Sequence, residues 1–167
     1  RTDKGWRLGG VSRDITEKKR AEDNLQSLYQ MTATFSQTTI LEDVYNAALD
    51  SLQKTLLADR VSILLYDDAD VMRFKAWRGL SDTYRKAAEG HSPWERTEQN
   101  PQPILVSDTL ADLSLASLHP LFVEEGIGSL GFIPLVHQGR LIGKFMVYFN
   151  KPHNFSADEI QLTETIA

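Results

Sequence analysis

Between positions 60 and 66 the chain reads RVSILLY, which places Val61, Ile63 and Leu65 on one side of an extended strand and Ser62, Leu64 and Tyr66 on the other. Both sides are largely apolar, as expected of an interior strand covered on two faces. Ahead of it, TTILEDVYNAALDSLQKTLL has a different period. Leu41, Val44, Ala48 and Leu52 fall on one helical face, and Thr39 with Glu42 has the spacing of a capping box. This predicts an amphipathic helix of about five turns. After the turn residues DDAD, the run VMRFKAWRG is the natural hairpin partner of the first strand and, carrying Arg73 and Lys75, the less buried of the two. From Leu80 to Gly128 the pattern loosens into short helical pieces around the Pro-flanked run QNPQPILVSD, which predicts lid and loop material around one short strand. The clearest hairpin comes last: GSLGFIPLV, the turn HQGR, then LIGKFMVYFN.

That hairpin can be read face by face. A two-residue turn at Gln138 and Gly139 pairs Val136 with Leu141, Ile133 with Lys144 and Ser129 with Tyr148. One face then holds Leu130, Phe132, Pro134, Val136, Leu141, Phe145, Val147 and Phe149 and should pack on helices. The other holds Ser129, Gly131, Ile133, Ile142, Lys144, Met146 and Tyr148. An inward lysine is costly unless it meets solvent, an anion or a ligand. The simpler expectation is that Lys144 snorkels to water along its four-carbon stem. The sharper one is that Lys144, with Ser129 and Tyr148, binds an anionic or carbonyl-bearing small molecule. Ser129, Ile133, Lys144, Met146 and Tyr148 are therefore the candidate ligand-binding set.

The N-terminal run GGVSRDITEKKRAEDNLQSLYQ passes from a strand-like piece with Trp6, Leu8 and Val11 into a charged helix, with Asp14 as its cap and Glu17 answering it. Beyond them Ala21, Leu25, Leu28, Thr32 and Phe35 form a narrow apolar stripe along about six turns. A stripe this narrow suits a second copy of the same helix in a parallel homodimer, with Ala21, Leu25, Leu28 and Phe35 as its contacts; packing on its own domain remains the alternative. At the other end Ile160, Leu162 and Ile166 continue an apolar pattern up to Ala167 without a helix stop. With no initiator Met before Arg1, the chain is expected to be a piece of a longer protein.

Composition narrows the functional classes. The 167 residues, 41% hydrophobic and 25% charged, suit one ordinary domain plus a tail. Eighteen Lys and Arg against 23 Asp and Glu, with no basic run, argue against nucleic-acid binding. No stretch approaches the roughly 20 apolar residues of a membrane span, so no membrane contact is expected of this segment. The absence of cysteine removes disulfides, thiolate metal sites and thiol nucleophiles, and fits a reducing, cytoplasmic setting. His91, His119, His137 and His153 lack metal-ligand spacing and read for the most part as solvated loop residues, so no metal is expected. Trp77 and Trp94 either wall a pocket or complete the core. No Ser-His-Asp grouping, phosphate loop or HExxH motif is present, and the chain is not expected to be an enzyme.

Two resemblances organise these pieces. GGVSRDITEKKRAEDNLQ, with its Asp14-Ile15-Thr16 triplet, resembles the last strand and exit linker of a PAS sensor domain. The helix before ADRVSILLYD, the PILVSDT run ahead of a lid, the GSLGFIPLVHQGRLIGKFMVYF hairpin and the closing FSADEIQLTETIA together resemble the GAF domain, a PAS-related small-molecule sensor. The implied layout is a PAS stub over 1–13, a linker helix over 14–38 and a GAF domain over 39–167. The implied fold is α+β: a central antiparallel sheet with N- and C-terminal helices on one face and a helical lid over a pocket on the other. Asn150, Lys151, Phe155, Asp158 and Glu159 echo the signature of cyclic-nucleotide-binding GAF domains, but only two residues separate Phe155 from Asp158. The preferred reading is structural, with Ser156 and Glu159 capping the last helix and Lys151 pairing with Asp158. Lack of cysteine excludes a Cys-linked bilin and thiolate-based sulfoxide reduction. A haem on His91 or His119 is not expected, and the cofactor is otherwise unassigned. The resemblance implies a regulatory, small-molecule-sensing and relay domain of a multidomain signal-transduction protein such as a sensor histidine kinase, joined to PAS and output domains. The alternative is a ligand-free dimerisation and relay module.

Overall fold

The computed structural model describes residues 40–166. Thr39 and the stripe of Ala21, Leu25, Leu28 and Phe35 lie outside the described residues, as do the PAS-like run and the linker helix. Five strands form one antiparallel sheet: β1 (Arg60–Tyr66), β2 (Met72–Arg78), β3 (Ile104–Val106), β4 (Ser129–His137) and β5 (Arg140–Phe149), in the spatial order β2-β1-β5-β4-β3. Helix α1 spans 40–56, α2 is Asp82–Ala88, a 3-10 turn covers Leu113–Leu118, α3 is His119–Glu125 and α4 is Ala157–Ile166. This is the expected α+β arrangement. Leu49 and Leu56 of α1, with Leu162 of α4, cover one face of the sheet, while α2, the 3-10 turn and α3 cover the other.

Local chemistry explains the element ends. Ser81 caps α2 by accepting from the Tyr84 N–H at 3.0 Å, and Asp112 caps the 3-10 turn through the Ser114 N–H at 2.9 Å. In α4 the capping box is reciprocal: Ser156 Oγ accepts from the Glu159 N–H at 3.3 Å, and Glu159 Oε2 accepts from the Ser156 N–H at 2.7 Å. Helix α1 ends in a Schellman turn, with the Ala58 N–H reaching back to the Gln53 carbonyl at 3.2 Å and Leu57 left-handed at φ 50°.

Helix α1 is rotated from its expected setting. Leu49 and Leu56 are buried and Tyr45, Ala48 and Leu52 pack with them, whereas Leu41 and Val44 are exposed. Tyr45, Leu49, Leu52 and Leu56 also recur at helical spacing, and their side chains are larger than those of Val44 and Ala48 in the expected stripe.

The terminal hairpin has the expected turn and a different register. Gln138 and Gly139 both have positive φ, 51° and 74°, the geometry of a two-residue type I′ turn. Val136 pairs with Leu141 as expected, but Leu135 then pairs with Gly143, which leaves Ile142 as a bulge. Beyond it Pro134 faces Lys144, Ile133 faces Phe145 and Ser129 faces Phe149, in place of the expected Ile133–Lys144 and Ser129–Tyr148 pairs. A Cβ on Gly143 would meet the Leu64 carbonyl oxygen at 2.2 Å, so only glycine lets β1 approach there. A one-residue slip turns every β4 side chain to the other face. Leu130 and Phe132 consequently pack beneath the lid, and Ile133 joins the α1 side. The assignment of Phe145, Val147 and Phe149 to the helix side of β5 stands.

Candidate functional site

Between the sheet and the lid lies a cavity of about 40 Å³. Leu64 of β1, Phe74 of β2, Phe132 of β4 and Met146 of β5 form its floor; Tyr84 and Ala88 of α2, Leu118, and Leu121 and Phe122 of α3 form its roof. Three of the lining residues carry polar groups, Tyr84, His91 and Lys144.

Lys144 is only 2% exposed. It does not snorkel to water. Its Nζ donates to the backbone carbonyl of His91 at 2.6 Å and stands 5.3 Å from the centroid of the Phe132 ring. No carboxylate pairs with it among the described residues. Burial alone pushes the amine down from 10.5 to about 8. The residue therefore fastens the segment after α2 to the centre of the sheet. The same segment is anchored by Trp94, buried, edge-on to Phe132 and donating Nε1–H to the Gln102 carbonyl at 3.1 Å. Trp77 instead lies under the Arg85 guanidinium, 3.8 Å from its ring centroid.

The predicted ligand set is divided between the two sides of the sheet. Lys144 and Met146 line the cavity. Tyr148 stands behind its wall, edge-on to Tyr84, with its hydroxyl donating to Met146 Sδ at 3.2 Å and 3.2 Å from Ser62 Oγ. Burial raises Tyr148 to about 12, so it stays a neutral donor. Ser129 and Ile133 are not on this face: Ser129 Oγ donates to the Lys151 carbonyl at 3.0 Å, and Ile133 belongs to the core under α1. Their displacement follows from the Ile142 bulge. Sequence reasoning missed Phe74, Tyr84, Leu121 and Phe122, whose positions depend on how the lid closes. Gly143 within a strand pattern was the available signal for the bulge.

Two further details correct the expected C-terminal loop. Lys151 and Asp158 form no ion pair; His153 Nε2 meets Glu159 Oε1 at 2.9 Å instead. His153 is not a freely solvated loop residue, since its ring stacks on Phe149 at 4.0 Å between centroids. Burial pushes Glu159 up, but hydrogen bonds from Ser156 and His153 hold it below the usual carboxylate value.

Arg60 connects lid and sheet ends. It donates to the carbonyls of Gly79 at 3.0 Å and Glu125 at 3.0 Å and to Asn150 Oδ1 at 2.5 Å. Glu125 in turn accepts from the Ser81 N–H at 2.8 Å, linking α3 to the cap of α2. Among the described residues no group of three His, Asp or Glu could hold a metal ion, and no helix is long and apolar enough to cross a membrane.

The sequence model of the GAF domain matches residues 38–167, and the chain belongs to the GAF family. A solved domain from Sinorhizobium meliloti 1021, assigned to a two-component sensor histidine kinase protein, is 48% identical, with 75% of this chain and 84% of that one covered at a TM-score of 0.67. The blue-light-absorbing PixJ GAF domain of Thermosynechococcus elongatus is 17% identical over 75% of this chain and 79% of that one, with a TM-score of 0.62. The GAF region of a Geobacter sulfurreducens PCA membrane protein is 22% identical over 82% and 91% of the two chains, with a TM-score of 0.58. The last two share the fold. No protein of curated function matches the chain. Family membership and the sensor-kinase relative support a sensory role in signal transduction. Although the PixJ domains are light-absorbing, this chain has no cysteine for a thioether-linked chromophore.

Proposed function

We propose that this domain is a small-molecule-sensing input module of a longer cytoplasmic signal-transduction protein of the sensor histidine kinase type, with its ligand held under the lid and Lys144 as the polar anchor. The observation that carries the reading is a buried amine in an apolar cavity, hydrogen-bonded to the lid and with no acidic partner among the described residues. A domain that only relayed force would be more stable with a hydrophobic residue there. Ligand entry would exchange the His91 contact for a ligand contact and change how the segment after α2 sits. Arg60 would pass that change from α2 and α3 to Asn150, just ahead of α4. The remaining parts of the proposal are an upstream PAS domain, an output domain beyond α4, and homodimerisation through Ala21, Leu25, Leu28 and Phe35. Leu25→Asp should then give folded monomers by native mass; an unchanged dimer would remove that interface.

The cavity's small volume favours a second reading, a ligand-free dimerisation and relay module, since ligand pockets ordinarily hold about 300 Å³ or more. Native mass spectrometry of the purified chain separates the two. A discrete small-molecule adduct that disappears in Lys144→Met supports sensing. A bare chain in every preparation, with the lid equally protected from hydrogen exchange in parent and variant, supports the relay.

A further inference from the structure

An ammonium carries three N–H donors, and Lys144 spends one of them on the His91 carbonyl at 2.6 Å. The others face a cavity whose remaining walls are hydrocarbon, thioether, phenol and imidazole side chains. A buried cation in such a place gains most from one compact anion that brings no further charge, because a second charged group would be stranded among apolar side chains. A volume of about 40 Å³ has room for roughly three water-sized spheres, which excludes a nucleotide or a sugar and leaves groups of a few heavy atoms. We infer that the cavity takes a short-chain monocarboxylate, its carboxylate paired with Lys144 Nζ and its alkyl end against Leu118, Leu121, Phe122 and Met146. This rests on the reading of the cavity as a ligand site.

The pairing has a proton signature. The titratable groups facing Lys144 are Tyr84 from α2 and His91 from the segment after it; β1, β2, β4 and α3 present only hydrocarbon side chains to the cavity. Tyr84 is raised well above its ordinary value by burial and stays neutral through the range of interest. Lys144, at about 8 when the site is empty, is driven back up by a carboxylate beside it. Binding above pH 8 must therefore take up a proton. Affinity should fall about tenfold between pH 7 and pH 9, as the empty-site amine loses its charge.

The test uses the whole chain with acetate and propionate as probes. Calorimetry is run in buffers of different ionisation heat, and methyl NMR follows Leu118, Leu121 and Met146. The inference expects those methyls to shift, proton uptake to be larger at pH 9 than at pH 7, and both effects to vanish in Lys144→Met. Methyl shifts without proton uptake, or binding unchanged in Lys144→Met, would put the carboxylate elsewhere and overturn the inference. So would the absence of any shift with either acid. If the variant does not fold, proton uptake by the parent decides alone. A native-mass adduct found while both acids fail would leave the sensing reading standing and remove only the carboxylate.

Discussion

The two faces of the sheet are built on different terms. Under α1 and α4 the strands contribute Val61, Ile63, Ile133, Phe145 and Val147, a core of aliphatic and aromatic groups with no charge in it. Under the lid the same strands contribute Leu64, Leu130 and Met146, but also Lys144, and Tyr148 with Ser62 hydrogen-bonded to it. The first face gains stability from burial alone. The second gives some of it up to bury an unpaired amine, and holds its cover partly by one hydrogen bond to a loop carbonyl. A domain that only had to fold gains nothing from that burial, and this asymmetry is what the sensing proposal rests on.

The sharpest way to break this comparison is to truncate one aromatic on each side. Phe145→Ala, in the dry core, should cost about 3–5 kcal/mol in urea unfolding. Phe132→Ala, half-buried beside an existing cavity, should cost no more than about 2 kcal/mol. Equal losses would mean that the faces are packed alike.

Arg60→Met tests whether the lid is also held from its ends. It removes a charged donor from the carbonyls of Gly79 and Glu125 and from Asn150, and should cost about 2–3 kcal/mol. Faster hydrogen exchange should be confined to the end of α3 and the Phe149–Asn150 turn, and exchange that quickened in α1 instead would place the role of Arg60 elsewhere.

A third prediction uses pH. The folded-state value for Lys144, about 8, lies below its unfolded value of 10.5, so the folded chain binds fewer protons between them and its stability rises with pH across that window. Between pH 7 and pH 9.5 the parent should gain about 2 kcal/mol relative to Lys144→Met. Parallel stability curves for the two proteins would deny the buried charge.

These sites differ in how far the sequence reveals them. Alternation in RVSILLY identified an interior strand because both of its faces are covered. The lysine on the lid side of β5 was legible too, since parity along a single strand survives any slip of its partner. The β4 faces were not, because the Ile142 bulge lies between the turn that sets the register and the residues that depend on it. Helix α1 offered two stripes at the same spacing, and the buried one is Tyr45, Leu49, Leu52 and Leu56, whose period alone does not set it apart from the other. The roof of the cavity comes from segments without periodicity, whose seating is decided by contacts such as Trp94 on Phe132 and Arg60 on Glu125.

The smallest effect belongs to the helix side and should leave the lid untouched. Leu57 is left-handed at φ 50° and 84% exposed at the end of α1, so Leu57→Gly relieves backbone strain without removing buried surface. It should raise stability by about 1 kcal/mol with no change at Lys144. A loss of stability would show that the exposed leucine makes a contact in the intact chain.

The central claim, that the lid side buries an unpaired amine, has one direct readout: the pH titration of the Lys144 side-chain Nζ followed by nitrogen-15 NMR in the ligand-free chain. The account predicts a midpoint near 8, set by burial of the amine beneath the lid. A midpoint at the ordinary value of 10.5 would mean that the amine stands in water, and would contradict both the cavity anchor and the asymmetry of the two faces.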